Sequence, residues 1–271
     1  MDDFNGKTAV ITGGASGIGL ATARLLAHEG ANLVLADIEE AALKEAVEEF
    51  EDAGVPVLGV RTDVGHLPQV VELADQAVEH FGGVHVLFNN AGVAISGPIV
   101  EMSHPDWEWL MRVNLWGPIH GVEAFLPRMV EQGEGGHIVN TASFAGLVAN
   151  DGLGIYNVTK YGVVALSETL YREMRNEGIG VSVLCPMRVE TNIGDSARNR
   201  QMEFGGPAEI EVHSELEEPE QSLAGRVIPV TEVADQVMRA IRNNELYIFT
   251  HPETRQFIRR RFDRIDRAFE E

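Results

Sequence analysis

Thr8-Ala9-Val10-Ile11-Thr12-Gly13-Gly14-Ala15-Ser16-Gly17-Ile18-Gly19 runs from a short apolar stretch through a glycine-rich turn into a helical pattern. β-branched and apolar residues suit a buried strand. The glycines let the backbone turn tightly and approach a pyrophosphate closely. A helix that opens directly after them offers that anion free N–H groups and the positive end of its dipole. A glycine-rich string alone is weak evidence for a dinucleotide site, but here it has the required order of strand, turn and helix. Gly13, Ser16, Gly17, Ile18 and Gly19 are therefore cofactor-binding candidates.

The alternation continues along the chain. Strands are expected at residues 8–12, 32–36, 56–61, 84–89, 137–141, 181–184 and 246–249. Helical periodicity fills the intervals at 21–28, 39–53, 70–81, 104–129 and 156–176. Gly30, Gly54, Gly82 and Gly178 stand where helix C-terminal signals belong. Strands separated by helices imply an α/β fold: a doubly wound parallel sheet of the Rossmann type, in one domain over residues 1–250. Residues 190–225 break the rhythm, with several Gly and Pro and many acids. Such an insert is a functional lid or a disordered loop, and its position after a strand's carboxyl end favours a substrate lid. Ile193, Met202, Phe204 and Leu216 are its candidate closing residues, and Gly194, Gly205, Gly206 and Gly225 its flexible points. Residues 251–271 read as an amphipathic helix, with Phe257, Ile258, Phe262, Ile265 and Phe269 opposite a row of arginines, packed on the domain or on an oligomer partner.

The 271 residues are enough for one large domain, and 44% hydrophobic with 23% charged residues is the balance of an ordinary soluble protein. A net charge of -21 repels nucleic acid and anionic membranes. The first residues lack a basic start and an apolar run, and no stretch approaches a membrane span, so a cytoplasmic enzyme is expected. Cys185 is the only cysteine and lies in an apolar run, as a buried and inert thiol does. His104, His120, His137 and His213 show no paired ligand spacing, and no metal is expected.

Asp37 ends the second strand. A carboxylate there can accept both ribose hydroxyls of an adenosine, and it repels a 2′-phosphate. Neither Ala15 nor Ile38 beside it offers a compensating charge, so NAD is favoured over NADP. Further along, Tyr156 and Lys160 are four residues apart and share one helix face. A phenol with its pKa near 10 needs help to move protons near neutrality. The neighbouring ammonium is expected to pull it down, while the Ser143 hydroxyl holds a carbonyl or alcohol oxygen against it.

Thr12-Gly13-x-x-x-Gly17-x-Gly19, Asn89-Asn90-Ala91-Gly92, Ser143 and Tyr156-x-x-x-Lys160 together resemble the classical short-chain dehydrogenase/reductase family. The resemblance runs from Lys7 to about Phe249. It implies that Tyr156 is the general acid/base, that Lys160 binds the ribose hydroxyls and lowers the tyrosine pKa, and that Ser143 orients the substrate. Asn114 matches the fourth catalytic residue, holding a water that relays protons from Lys160. Asp63 and Val64 match the adenine-contacting position. Asn90, Ala91 and Gly92 complete the cofactor floor, and Val189 and Thr191 match the nicotinamide carboxamide contacts. Met187 departs from the pattern, standing where the family has glycine.

The implied activity is NAD-dependent interconversion of a secondary alcohol and its ketone, by a homotetramer. Val93, Ala94, Ile95, Ser96, Phe144, Ala145, Leu147, Val148, Leu153 and Met187 are candidate substrate contacts. Their apolar character implies a hydrophobic substrate. Two other readings compete. A sugar-nucleotide epimerase would space its glycine turn differently, and a non-catalytic NAD-binding regulator on the same fold would carry a damaged tetrad.

Overall fold

The computed structural model describes residues 1, 3–207 and 226–269. Among the described residues, seven strands form one parallel sheet in the order β3-β2-β1-β4-β5-β6-β7. They are β1 (Thr8–Thr12), β2 (Asn32–Asp37), β3 (Val57–Arg61), β4 (Val86–Asn89), β5 (Gly136–Thr141), β6 (Ile179–Cys185) and β7 (Tyr247–Phe249). Every neighbouring pair runs parallel. The chain steps outward from β1 to β3, then crosses back to lay β4 on the other side of β1. At that reversal the loops after β1 and β4 diverge, and the crevice between them is where such sheets receive ligands.

Helices cover both faces. They are α1 (Gly17–His28), α2 (Glu40–Asp52), α3 (Leu67–Phe81), α4 (His104–Met111), α5 (Gly117–Gln132), α6 (Gly154–Glu173), α7 (Val230–Asn243) and α8 (Thr254–Asp266). The period of two along β1 sorts its side chains. Ala9 and Ile11 join a core with Leu26, Phe50, Met238 and Ile241, while Val10 joins the opposite core with Leu73, Trp109, Phe125 and Met129. All five residues of β1 are buried. Cys185 is fully buried, and burial pushes its thiol up to about 12. Among the described residues no helix is long and apolar enough to cross a membrane.

The helix expected over 104–129 is three pieces. A capping box opens α4, with Ser103 Oγ accepting from Asp106 N and Asp106 Oδ2 accepting from Ser103 N. A π-turn at Arg112–Trp116 follows, and then α5. Pro118 has no N–H to give the Asn114 carbonyl four residues earlier, which breaks the regular ladder there. Helix α8 meets the domain through its first turns. Phe257 stacks edge-on against Phe144 at 5.7 Å, and the Arg261 guanidinium lies 5.3 Å from the Tyr161 ring centre. Farther along, Phe262, Ile265 and Phe269 are exposed.

Candidate active site

The cleft opens at the carboxyl ends of β1 and β4. Gly13 has φ +61°, and a Cβ there would sit 2.9 Å from Ala91 Cα. Gly19 lies behind the cleft, where a Cβ would come within 2.2 Å of the Gly13 carbonyl oxygen. Glycine is required at the first by conformation and at both by close approach. Thr12 Oγ1 accepts from the N–H of Asn90 at 3.0 Å and of Ala91 at 3.2 Å. Asn90 Nδ2 donates back to the carbonyls of Thr12 and Gly13, each at 3.1 Å. These bonds make the glycine turn and residues 90–92 one unit. Gly13, Ser16, Gly17, Ile18, Asn90, Ala91 and Gly92 all line the cleft.

At the far end, Asp37 Oδ2 accepts from Ala15 N and Oδ1 from Glu39 N, both at 3.1 Å. Burial raises the Asp37 carboxyl above its ordinary range, while N–H donors from Glu39, Ala15 and Ile38 oppose the shift. A buried carboxylate fixed by backbone donors, beside a turn with glycines at 13 and 17 on the cleft, suits the two hydroxyls of a ribose and the pyrophosphate that follows it. Ile38, Asp63 and Val64 line the same end. Asp63 Oδ1 accepts from Gly65 N at 2.8 Å and Oδ2 from Gln201 Nε2 at 2.9 Å.

At the other end, α6 presents Tyr156 and Lys160 one turn apart, facing Ser143 after β5. Ser143 Oγ accepts from Ala145 N at 3.1 Å and donates to the Pro186 carbonyl at 3.4 Å. Lys160 is 2% exposed, and its Nζ donates to the Thr141 carbonyl at 2.9 Å. That nitrogen lies 5.5 Å from the Tyr156 ring centre. Burial lowers the ammonium to about 8. Burial also pushes the Tyr156 phenol up to about 12, with the Ser143 hydroxyl pulling the other way. This corrects the expected fall in the tyrosine pKa. The desolvation that disfavours the phenolate also disfavours the cation meant to stabilise it.

Asn114 sits behind the cleft, fully buried. Its Oδ1 accepts from Val93 N and its Nδ2 donates to Val93 O, both at 2.8 Å. These two bonds tie the side chain to the loop after β4. Val189 pairs with Ile228, and Thr191 lies over Gly17, its methyl 3.4 Å from where a Cβ there would stand. Both line the cleft. Met187 lines it too, with its N–H donated to Thr250 Oγ1 at 3.3 Å.

Of the apolar substrate candidates, Val93 and Met187 line the cleft. Ala94, Ile95, Ser96, Leu147, Val148 and Leu153 do not, and Phe144 and Ala145 are buried behind Ser143. Trp109 and Val113 line it from α4 and the π-turn and were missed. They reach it only through a tertiary packing that no local spacing encodes.

The part of the expected lid at residues 208–225, including Leu216 and Gly225, lies outside the described residues. The rest forms a strap of two 3₁₀ segments, Asn192–Asn199 and Met202–Phe204. It runs to the adenosine end. Ser196 Oγ accepts from Ala94 N at 2.9 Å, and Arg200 pairs with Asp106 at 2.7 Å. Ile193 faces the cleft, Phe204 is buried with the Arg112 guanidinium 4.9 Å from its ring centre, and Met202 is exposed. Arg198 joins Asp37 and Glu39 in the cleft wall, a cation that the local sequence around Asp37 gave no sign of.

Residues 7–202 match the family model described as short chain dehydrogenase. A solved short chain dehydrogenase/reductase from Burkholderia phymatum, in complex with NAD, is 43% identical with a TM-score of 0.90, covering 99% of this chain and 97% of that one. The CLA biosynthesis dehydrogenase/reductase of Lactiplantibacillus plantarum is 35% identical over 98% of this chain and 95% of its own. The 3beta-hydroxysteroid dehydrogenase 2 of Eggerthella lenta is 39% identical over 71% of this chain and 75% of its own. A match over most of the chain, on this fold and with this cleft, makes the protein a member of the short-chain dehydrogenase/reductase family.

Proposed function

We propose that the protein is an NAD-dependent oxidoreductase that interconverts a hydrophobic secondary alcohol and its ketone, and that it works as a homotetramer. One observation carries this reading: a single cleft joins the Asp37 carboxylate, across the glycine turn, to Ser143, Tyr156 and Lys160. The NAD held by the Burkholderia phymatum relative supports the cofactor. The steroid alcohol named for the Eggerthella lenta relative supports an apolar substrate, as do Val93, Trp109, Val113 and Met187 in the cleft wall.

When bound, the nicotinamide supplies the hydride acceptor or donor. The chain's own residues position the reactants and manage the proton. Asp37 takes the adenosine ribose hydroxyls, and Asp63 with Val64 flanks the adenine. Val189 and Thr191 hold the carboxamide end. Ser143 Oγ holds the substrate oxygen against the Tyr156 hydroxyl, which gives that oxygen a proton in reduction and takes one in oxidation. Lys160 donates to the nearer ribose and stabilises the phenolate when it forms. Asn114 keeps the Val93 main chain against the cleft and supports proton exchange with solvent through its backbone.

The test is the appearance of reduced nicotinamide with NAD and a panel of aromatic and alicyclic secondary alcohols, for the wild type and Tyr156→Phe. The variant should lose turnover by about 100-fold or more and keep its NAD affinity, as expected for loss of one acid/base group. A Phe variant with near wild-type kcat would remove Tyr156 from the role. Light scattering should give four times the chain mass, and a stable monomer of 29.6 kDa at micromolar concentration would rule the assembly out.

A further inference from the structure

Asp37 is not the only charged group at the adenosine end of the cleft. Glu39 donates its N–H to Asp37 Oδ1 at 3.1 Å, which ties the two acids together. The Glu39 carboxylate is gripped by Arg198 on two atoms, Nε to Oε2 at 3.1 Å and Nη2 to Oε1 at 2.5 Å. Arg198 Nη1 donates to the carbonyls of Asn192 at 3.3 Å and Asp195 at 2.7 Å, which anchors the guanidinium to its own strap. Asp37, Glu39 and Arg198 all line the cleft. A planar guanidinium with donors at the fork is the group best suited to a phosphate, and a bidentate carboxylate occupies the same fork.

We propose that Glu39 is a second determinant of cofactor choice: by occupying the Arg198 fork, it denies a 2′-phosphate the one cation that faces the Asp37 end of the cleft among the described residues. The inference rests on the NAD reading of this cleft and deepens it. Discrimination then has two parts. Asp37 repels the extra phosphate, and Glu39 cancels the residue that would attract it. Removing Asp37 alone leaves the cation engaged, so the gain for NADP stays small. Removing the Glu39 charge as well frees a guanidinium that the Asn192 and Asp195 carbonyls still hold in place.

The test measures dissociation constants by calorimetric titration, with NAD and NADP as probes, so that turnover is not the readout. The proteins are the wild type, Asp37→Ser, Asp37→Ser with Glu39→Gln, and that pair with Arg198→Ala. Glu39→Gln keeps the side-chain shape, and circular dichroism with a melting curve checks the fold of each. On the Asp37→Ser background, Glu39→Gln should improve NADP affinity relative to NAD by at least about tenfold, the scale of one charge-assisted contact. Adding Arg198→Ala should cancel that gain. An equal gain with and without Arg198, or no gain, overturns the role of Glu39 while leaving NAD binding by the wild type intact. A wild type that binds neither dinucleotide overturns the cleft reading and this inference with it.

Discussion

At Lys160 the cost of burial and the use of the charge meet in one side chain. Its ammonium is 2% exposed, donates to the Thr141 carbonyl, and is lowered by burial to about 8. If it binds the ribose as proposed, hydroxyls accepting from this nitrogen would favour its charged form, and the complex would hold the proton to a higher pH than the free protein. Affinity is then constant below about 8 and falls as pH rises above it, by up to about tenfold per unit. Calorimetric titration with NAD between pH 6.5 and 9.5 should show that fall in the wild type and a flatter profile in Lys160→Met. Equal slopes would remove the lysine from ribose binding. The pairing of Tyr156 with Lys160 was legible because it is a spacing within one helix, and Asp37 because it ends a strand next to the glycine turn. The direction of the Tyr156 shift was not, since burial is a property of everything packed around the phenol. Arg198 stayed hidden for a related reason: it meets Glu39 across a sequence separation of 159 residues.

The elements divide along the same line. All seven strands were legible, because β-branched runs bounded by turn residues need no tertiary information to be recognised. The segment at 104–129 was not, because an apolar period over that length reads as one helix until the ladder is inspected. Pro118 was the available signal. With its N–H missing, the chain winds wider at Arg112–Trp116, which carries Asn114 to the Val93 main chain and Val113 to the cleft wall. The strap at residues 192–206 follows equally physical rules that spacing does not reveal. It has no period of its own, and its course is set by partners elsewhere in the chain, among them Glu39, Asp63, Ala94, Asp106 and Arg112. An aperiodic insert shows that a segment does something other than pack, but its destination depends on which charges it meets.

For the whole molecule, one buried imidazole is expected to make folding sensitive to acid. His137 lies on β5, the strand that leads to Ser143, and is 1% exposed. Ser182 Oγ donates to the Glu245 carbonyl at 2.6 Å, so at 2.8 Å it accepts from His137 Nε2, and the ring is neutral with its proton there. Burial, with the N-terminal ammonium adding to it, lowers the ring to about 3 from an ordinary 6.5. The unfolded chain takes its proton near 6.5 and the folded chain only near 3, so between those values the unfolded state binds more protons. The contribution of this group to stability therefore rises with pH across that window and is lost on acidification, by roughly 3 kcal/mol between pH 7 and pH 4. The net charge of -21 acts in the opposite sense, since protonating carboxylates relieves their mutual repulsion. The wild-type curve alone would mix the two effects, and the difference between wild type and His137→Gln separates them. Urea midpoints at pH 7, 5.5 and 4 should show the variant less stable at pH 7, where it loses a well-packed ring, and the gap closing as pH falls. A gap that stays constant from pH 7 to pH 4 would mean that His137 takes its proton without unfolding the sheet.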